Sequence, residues 1–269
     1  MRLIMKLTFR LLTISPLILC LTGCEFISNT ISSYWQTYKD KSEPFLPPEK
    51  NQWITVEGIA PPNTRPNLDS IYASNRCLTT HNTAGGTLYH LPKYHWNRFN
   101  ISVDPVTGYF KEKIPLNGGG WCQWQIDNIE LALEYTNVSH LMKNAVSRGR
   151  AGINVYINGA RKPSDMKKLE NIIDYRPTIY PVLRKSFVTG NANQIGLYAG
   201  GKLTFFELIL QQKNEWKIKY IPTLDETKMP KIIIPGGNKP SRVEYPDGKV
   251  DLDRDSIDYW KINNTPQWE

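Results

Sequence analysis

Apolar and polar residues alternate along much of the chain from residue 52, in short runs that are closed by turn signals. Residues 52–59 alternate up to Pro61-Pro62, and residues 152–157 alternate up to Asn158-Gly159. Residues 123–135 form the longest run. A period of two is typical of strands that bury one face, and proline pairs or Asn-Gly end such strands. We therefore predict a strand in each of these three runs.

The longest run also predicts which of its faces is buried. Ile129, Leu131 and Leu133 share one parity, whereas Glu130 and Glu134 share the other. Because successive side chains of a strand point to opposite faces, we expect the first set to face a core and the second set to face solvent.

Three turns that contain glycine each lie between two extended segments. These turns, with the segments they join, are Gly85-Gly86 (70–80 and 87–91), residues 104–108 (98–103 and 109–114) and Pro246-Asp247-Gly248 (242–245 and 249–252). Glycine accepts a positive φ and proline presets φ, so both residue types favour tight turns. We expect three hairpins, the last of them on the surface.

Three further extended segments follow one another closely in the C-terminal half. Residues 194–198, 202–210 and 216–221 are separated by Gly200-Gly201 and by a polar turn at Lys213-Asn214. Consecutive strands with short connections usually pair with one another, so we predict a three-stranded meander.

The stretch between Pro163 and Pro177 has helical spacing instead. Ser164 is a candidate N-cap, and the apolar residues that follow recur near the helical repeat: Met166, Leu169, Ile172 and Ile173. Capping and spacing together predict a helix that ends before Pro177.

Strands and turns dominate this pattern, and the composition agrees with it. The 18 glycines and 19 prolines, together with 8 tryptophans and 14 tyrosines, suit strands joined by turns. The predicted fold class is mainly β, with antiparallel sheets in a sandwich-like arrangement and one or two short helices. A division near residue 160 would give an N-terminal β module (51–160) and a C-terminal β module with a polar tail (161–269).

The N-terminus has the pattern of an export signal. Arg2 and Lys6 precede an apolar run at 11–21, which is too short and too near the terminus for a membrane-spanning helix. The run ends in Leu21-Thr22-Gly23-Cys24, which resembles the lipobox of bacterial lipoproteins. The resemblance implies acylation of the cysteine and removal of residues 1–23 as a signal peptide. A plain signal peptide or an uncleaved anchor is the alternative.

The lipobox resemblance also implies a location. In lipoproteins of Gram-negative bacteria an aspartate after the acylated cysteine favours the inner membrane, and here Glu25 follows Cys24. We therefore expect a lipid-anchored protein of the outer membrane that faces the periplasm. Residues 24–50 would be the lipidated N-terminus and tether, either a short amphipathic helix or, since a tether needs reach, a flexible stalk.

The net charge sets limits on the partners. Residues 1–23 contain three basic residues and no acid, so their removal lowers the formal charge from +8 to +5. An exported, acylated protein does not normally meet nucleic acid, so we expect no nucleic-acid partner. Anionic lipid headgroups or an acidic protein agree with the sign of the charge.

The cysteines predict one disulfide. Cys20 is lost with the signal peptide and Cys24 is acylated, which leaves Cys77 and Cys122. Exported proteins sit where such pairs oxidise, so we predict a Cys77–Cys122 bond.

The candidate catalytic and metal-binding residues are few. His81, His90 and His95 match no common zinc spacing; they could meet on paired strands, or be surface or core histidines. Cys77 with one of these histidines would suggest a cysteine hydrolase, but Cys122 is an evident oxidation partner. The sequence has no Gly-x-Ser-x-Gly elbow, phosphate loop or His-Glu-x-x-His motif. We predict no catalytic residue, no metal and no cofactor.

The run from Gly118 to Trp124 is the most unusual local sequence. Trp121 and Trp124 flank the predicted disulfide cysteine after three consecutive glycines. One interpretation packs these rings on the disulfide and the core. The other places an exposed tryptophan on a glycine-hinged loop, where it would anchor a partner. Both tryptophans are therefore candidate partner-binding residues.

The same run carries a family resemblance. Gly119-Gly120-Trp121-Cys122-Gln123-Trp124, followed by a strand to Tyr135 and preceded by a lipobox, is similar to immunity lipoproteins encoded beside type VI secretion phospholipase effectors. The resemblance implies a non-enzymatic protein that binds and neutralises a cognate lipase toxin in the periplasm, and it identifies no inhibitory residue. The alternative is a structural lipoprotein of an envelope secretion or assembly machine. A third hypothesis, a surface enzyme acting on glycan, requires a pocket with converging acids.

Overall fold

The computed structural model describes residues 43–158, 166–188, 193–198, 205–211, 215–237 and 239–263. Several predicted features lie outside the described residues: the signal peptide, Cys24, the tether up to residue 42, Ser164, and the turns at Gly159, Gly200-Gly201 and Lys213-Asn214.

Eighteen strands and one short helix are present among these residues. In chain order they are β1 Trp53–Ile59, β2 Thr64–Asn82, β3 Leu88–Phe99, β4 Tyr109–Pro115, β5 Asn117–Gly119, β6 Trp124–Tyr135, β7 Val146–Ser147, β8 Arg150–Ile157, β9 Lys167–Glu170, β10 Ile172–Tyr175, β11 Thr178–Ser186, β12 Asn193–Tyr198, β13 Phe205–Ile209, β14 Trp216–Tyr220, β15 Thr223–Leu224, β16 Lys231–Ile234, β17 Arg242–Glu244, β18 Val250–Leu252 and α1 Tyr259–Asn263. The predicted mainly β fold is confirmed. Within the described part of the chain, no helix has the length and apolarity needed to cross a membrane.

The strands form three sheets. The small sheet has the order β10-β14-β1-β4, the large sheet β3-β2-β6-β8-β13-β9 with β5 beside β6, and the third sheet β18-β17-β16-β11-β12-β7 with β15 beside β11. Each sheet contains parallel pairs, such as β1 with β14, β8 with β13 and β11 with β16. The sheets are therefore mixed rather than purely antiparallel.

The large and small sheets enclose the main core between them. Their inward side chains are fully buried, among them Leu68, Ile129, Leu131, Ile54, Val56 and Ile218. Two hydrogen bonds cross this interface: the Tyr72 hydroxyl donates to the Pro115 carbonyl at 2.8 Å, and the Tyr220 hydroxyl donates to the Ala151 carbonyl at 3.4 Å. A second, smaller core lies on the third sheet and includes Tyr180, Ile232, Val243, Tyr245 and Ile262.

Strands from both sides of residue 160 pair in every sheet. β1 pairs with β14 in the small sheet, β8 with β13 in the large sheet, and β7 with β12 in the third sheet. The predicted boundary near residue 160 therefore coincides with no division of the sheets.

The helix predicted between Pro163 and Pro177 is wrong for the described part of that stretch. β9 and β10 occupy it, and Asn171 between them has a φ of +60°. β9 pairs in parallel with β13 and β10 with β14, so hydrogen bonds to distant strands replace those of a helix. Ile173 is fully buried and Ile172 is exposed, as alternation requires. Non-local pairing has outweighed the local helical spacing.

The predicted meander is also wrong in its pairing. Its three segments do form strands, but β12 joins the third sheet, β13 the large sheet and β14 the small sheet. Each segment offers the same unpaired backbone groups to any neighbour, so the strand pattern does not select the partner.

Two of the three predicted hairpins form. β2 and β3 pair on either side of Gly85-Gly86, and β17 pairs with β18. At residues 104–108 the turn is present, since the Gly108 amide donates to the Asp104 carbonyl at 2.9 Å. Its arms are joined only by the bridge between Val103 and Phe110, because β4 pairs with β1 instead.

Candidate interaction surface

A disulfide ties the β2–β3 hairpin to the loop that precedes β6. Cys77 and Cys122 are bonded, as predicted, across 45 residues of chain. Cys77 lies in a bulge of β2, where the pairing register with β3 shifts between Ser74 and Leu78. The Ser74 hydroxyl stabilises this bulge, since it donates to the Cys122 carbonyl at 2.5 Å and accepts from the Cys77 amide at 2.8 Å.

The two candidate tryptophans have different environments. Trp124 is 1% exposed at the start of β6, and its ring lies 5.3 Å from the His95 ring. Its prediction as a partner-binding residue is therefore wrong, because a buried ring cannot meet a partner. Trp121 is 56% exposed beside Cys122 and stays a candidate.

The three glycines before Trp121 do not act as a hinge. Residues 44–46, the chain segment that enters the body, pack directly against them, and we call this contact the seat. The Leu46 amide donates to the Gly118 carbonyl at 2.8 Å. Gly119 has a φ of +64°, and a Cβ on it would lie 1.8 Å from the Leu46 carbonyl oxygen. A Cβ on Gly120 would lie 2.2 Å from the Pro44 carbonyl oxygen. Only glycine allows the entering segment to approach so closely.

Phe45 fixes the entering segment in this seat. Its ring centroid lies 4.8 Å from that of Tyr72, edge to face, and 5.4 Å from that of His95, stacked. Burial raises the pKa of the Tyr72 phenol, so this hydroxyl remains a hydrogen-bond donor to the small sheet. Glu43 pairs with Lys93 of β3 just before the segment leaves the described residues. Residues 43–46 therefore join the body beside the β2–β3 hairpin.

The outer part of that hairpin protrudes from the body. Residues 78–91 are all exposed, and among them Leu78, Leu88 and Tyr89 expose 49%, 64% and 42% of their surface. Residues 75–92 contain no acid. We call residues 78–91 the arm.

The outward face of β3 continues this apolar surface towards the body. Tyr89, Leu91, Lys93 and His95 share one parity, and His95 faces the core side. The residues of the other parity face outward, and we call them the β3 stripe: Leu88, His90, Pro92, Tyr94 and Trp96. Trp96 is 65% exposed. The stripe extends for about 27 Å, at roughly 3.4 Å per residue.

Sequence reasoning missed Trp96. Pro92 interrupts the pattern, so alternation and turn signals predict extended segments at 87–91 and 98–103 but none between them. β3 passes through Pro92 because it is the end strand of the large sheet, and proline is tolerated on such an edge. The alternation of Leu88, Tyr94 and Trp96 was the signal that could have revealed the stripe.

Ion pairs neutralise the large sheet around the stripe. Arg98 bonds Asp69 through two contacts, Nε to Oδ1 at 2.7 Å and Nη2 to Oδ2 at 3.1 Å, and this carboxylate raises the pKa of Arg98. Arg65 Nε lies 2.7 Å from Glu134 Oε1. Burial raises the pKa of Glu134, but the hydrogen bonds from Arg65 and Asn67, with the charges of nearby arginines, together lower it by more than burial raises it. The net shift of this pKa is therefore downward. The stripe is thus framed by compensated charges.

The structure does not bring the three candidate histidines together. His81 and His90 lie on opposite faces of the arm, since His81 is paired with Tyr89 and Thr80 with His90. His95 packs under Phe45. Among the described residues, Glu43 lies near both cysteine sulfurs, but these are bonded to each other and are not thiolate ligands.

A cleft of about 980 Å³ lies between β6, β8, β14 and the chain before β1. Amide side chains dominate its lining, among them Asn51, Gln52, Asn117, Gln125, Asn158 and Gln211. Lys50 is the one ionisable side chain among the described residues that line it. This lining offers hydrogen bonds and no described pair of acids, so its chemistry suits binding better than proton transfer.

Comparisons of the chain with protein-family models, with curated proteins and with solved structures found no match. The fold and the exposed surfaces define a mainly β protein with a disulfide-tied arm that carries no Asp, Glu, Lys or Arg.

Proposed function

We propose that this chain is a lipid-anchored immunity protein, a stoichiometric and non-enzymatic inhibitor of a secreted antibacterial toxin, most simply a type VI phospholipase effector. It would face the periplasm from the outer membrane. The observation that carries the proposal is the exposed β3 stripe with Trp96, on a chain whose N-terminus resembles a lipobox.

The β3 stripe has the character of a protein-binding surface. Tryptophan and tyrosine are enriched in binding hot spots, and Trp96 stands among polar and compensated groups that can form a rim around it. β3 is also the end strand of its sheet, so its outer backbone edge can accept a strand from a partner.

The position of Phe45 beside β3 supports a location of this surface near the proposed anchor. Eighteen residues lie between Cys24 and Glu43, which pairs with Lys93 of β3, so nineteen Cα–Cα steps connect the two. An extended chain of that length spans at most about 65 Å. A lipase works at the membrane surface, so an inhibitor held within this distance meets it at high effective concentration.

The test mixes the protein with the candidate lipase encoded next to its gene. The chain from residue 25 onward is suitable, because all residues of the two cores lie between Phe45 and Ile262. We expect a one-to-one complex by calorimetry and loss of lipase activity at equimolar inhibitor. No complex and unchanged lipase activity would refute the proposal, and recovery with large envelope assemblies would favour a structural lipoprotein.

Three alanine variants locate the contact. Trp96→Ala is expected to weaken the complex by about 2 kcal/mol, roughly thirtyfold in Kd. Phe187→Ala is the matched control, since Phe187 is 57% exposed on the third sheet; it should leave Kd unchanged. If Trp121→Ala weakens the complex and Trp96→Ala does not, the contact lies on the loop beside the disulfide instead of on the β3 stripe.

A further inference from the structure

The outward face of the small sheet carries four lysines around one carboxylate. Ile54 and Val56 of β1 face the core, so Thr55 and Glu57 face outward. Thr55 is paired with Lys113 on one side and Lys217 on the other, and Glu57 with Lys111 and Lys219. We call these four lysines the lysine face. They span about 10 Å across the strands and about 7 Å along them.

The positive charge of this face is only partly compensated. Lys217 Nζ and Lys219 Nζ share a single oxygen, Glu57 Oε1, at 3.7 and 3.6 Å. Lys111 and Lys113 form no ion pair with the described residues and are exposed. The Asp174 carboxylate is the cross-strand neighbour of Lys219 and is bound by Arg176 at 2.8 Å; the Arg176 bond and the charge of Lys219 both lower the pKa of Asp174.

A depression of about 480 Å³ lies over this face. Lys111, Lys113 and Lys217 line it together with Thr55, whose small side chain leaves room between the strands. Trp53, 38% exposed, and Trp216 add aromatic walls, and Glu215 is the acid among the described lining residues. Ammonium groups, a hydroxyl and amides around a shallow depression can contact the oxygens of a phosphate group.

We propose that the lysine face binds the phosphate groups of anionic phospholipids and seats the body on the bilayer. Two observations select this occupant. Asn51 and Gln52 line the depression and lie eight and nine residues after Glu43, the first residue after the proposed tether, so at most about 30 Å of chain separates the depression from that point. Trp53 stands beside the lysines, and tryptophan favours the membrane–water interface. The orientation of the body on the bilayer rests on the proposed lipid anchor, whereas binding of phosphate headgroups by the lysine face does not.

The experiment measures sedimentation of the chain from residue 25 onward with phosphatidylcholine vesicles, with and without phosphatidylglycerol. This chain lacks Cys24, so an acyl anchor cannot contribute. We expect binding only when phosphatidylglycerol is present. Binding should weaken when the ionic strength rises from about 0.15 M to about 1 M, since the Debye length falls from about 8 Å to about 3 Å.

Two double variants with the same change in net charge separate the site from the overall charge. Lys111→Glu with Lys113→Glu is expected to reduce partitioning at least about tenfold. The control, Lys143→Glu with Lys231→Glu, changes two exposed lysines elsewhere and should retain binding close to that of the parent chain. Circular dichroism should show the same thermal midpoint for both variants.

Three results would overturn the proposal. Equal losses in both double variants would assign binding to net charge alone, and equal binding to pure phosphatidylcholine would assign it to apolar contact. If the chain fails to bind vesicles but binds poly-L-glutamate, and only the Lys111/Lys113 variant loses that binding, the partner of the lysine face is an acidic protein. Failure of palmitate to label the full chain would refute the anchor and leave the vesicle result unaffected.

Discussion

The outer faces of the two sheets that enclose the core differ in how their charges are compensated. On the large sheet each of two arginines has a carboxylate within 2.7 Å, Arg98 with Asp69 and Arg65 with Glu134. On the small sheet Glu57 serves two lysines at distances above 3.5 Å, and Lys111 and Lys113 pair with no described residue.

The two proposals assign a different kind of recognition to each of these faces. Compensated charges leave the large sheet locally neutral, so Trp96 and the β3 stripe become its distinctive feature for an apolar contact. Uncompensated charges make the small sheet attractive to polyanions. The inward positions of both sheets are similar, because both face the same core. The outward positions are free to differ, and function is therefore argued from them.

The largest expected effect concerns the disulfide, which ties only the large-sheet side of the molecule. Replacing Cys77 and Cys122 together by serine should lower the free energy of unfolding by about 4 kcal/mol for a loop of 45 residues. Urea denaturation measures this loss. In this variant, amide hydrogen exchange should accelerate more in β2 and β3 than in β1 and β14. Equal acceleration in the large and small sheets would show that the disulfide does not stabilise the large sheet selectively.

A second, smaller effect compares one charged residue from each face. Arg98→Ala removes both short contacts to the Asp69 carboxylate, which is 8% exposed, and leaves Arg150 at 3.9 Å, so we expect a measurable loss of stability. Lys113→Ala removes no ion pair with the described residues and should change stability by less than about 0.5 kcal/mol. Urea denaturation of both variants tests the pair. The double variant Arg98→Ala with Asp69→Asn should recover part of the lost stability, because it removes the charge that has lost its two short contacts. If Arg98→Ala and Lys113→Ala lower the free energy of unfolding equally, the two faces do not differ in charge compensation.

The smallest effect is a dependence on pH. The folded-state pKa of Glu134 lies below its usual value, so this carboxylate stabilises the fold above its unfolded-state pKa. That contribution is lost as the pH falls through the folded-state pKa. The stability difference between the parent chain and Glu134→Gln should therefore shrink from about pH 7 to about pH 3. A difference that stays constant over this range would show that Glu134 does not support the large sheet through its charge.

Several features of the fold could be predicted because their causes are local. The strand β6 follows from the alternation of Ile129, Leu131 and Leu133 with two glutamates, and all three are fully buried. The β2–β3 turn follows from Gly85-Gly86. The disulfide follows from the number of cysteines that remain if residues 1–23 are removed and Cys24 is acylated.

Other features could not be predicted because their causes are distant in sequence. The glycines at 118–120 were interpreted as a hinge, since the chain around them does not reveal that Leu46 and Pro44 lie against them. Trp124 is a binding candidate by sequence, but its burial against the His95 ring, which Phe45 covers in turn, depends on residues distant in sequence. The helical spacing after Pro163 was a local pattern that parallel pairing with β13 and β14 overrode.

The sequence by itself determined that this chain is mainly β, where most of its strands lie, and which cysteines are bonded, because side-chain alternation and cysteine number are local properties. Only the tertiary structure decided which strands are neighbours. Lys111 and Lys113 flank β1 on one side and Lys217 and Lys219 on the other, although more than one hundred residues separate the two pairs. Backbone groups of a strand can bond to any other strand, so such neighbours are set by the packing of the whole core.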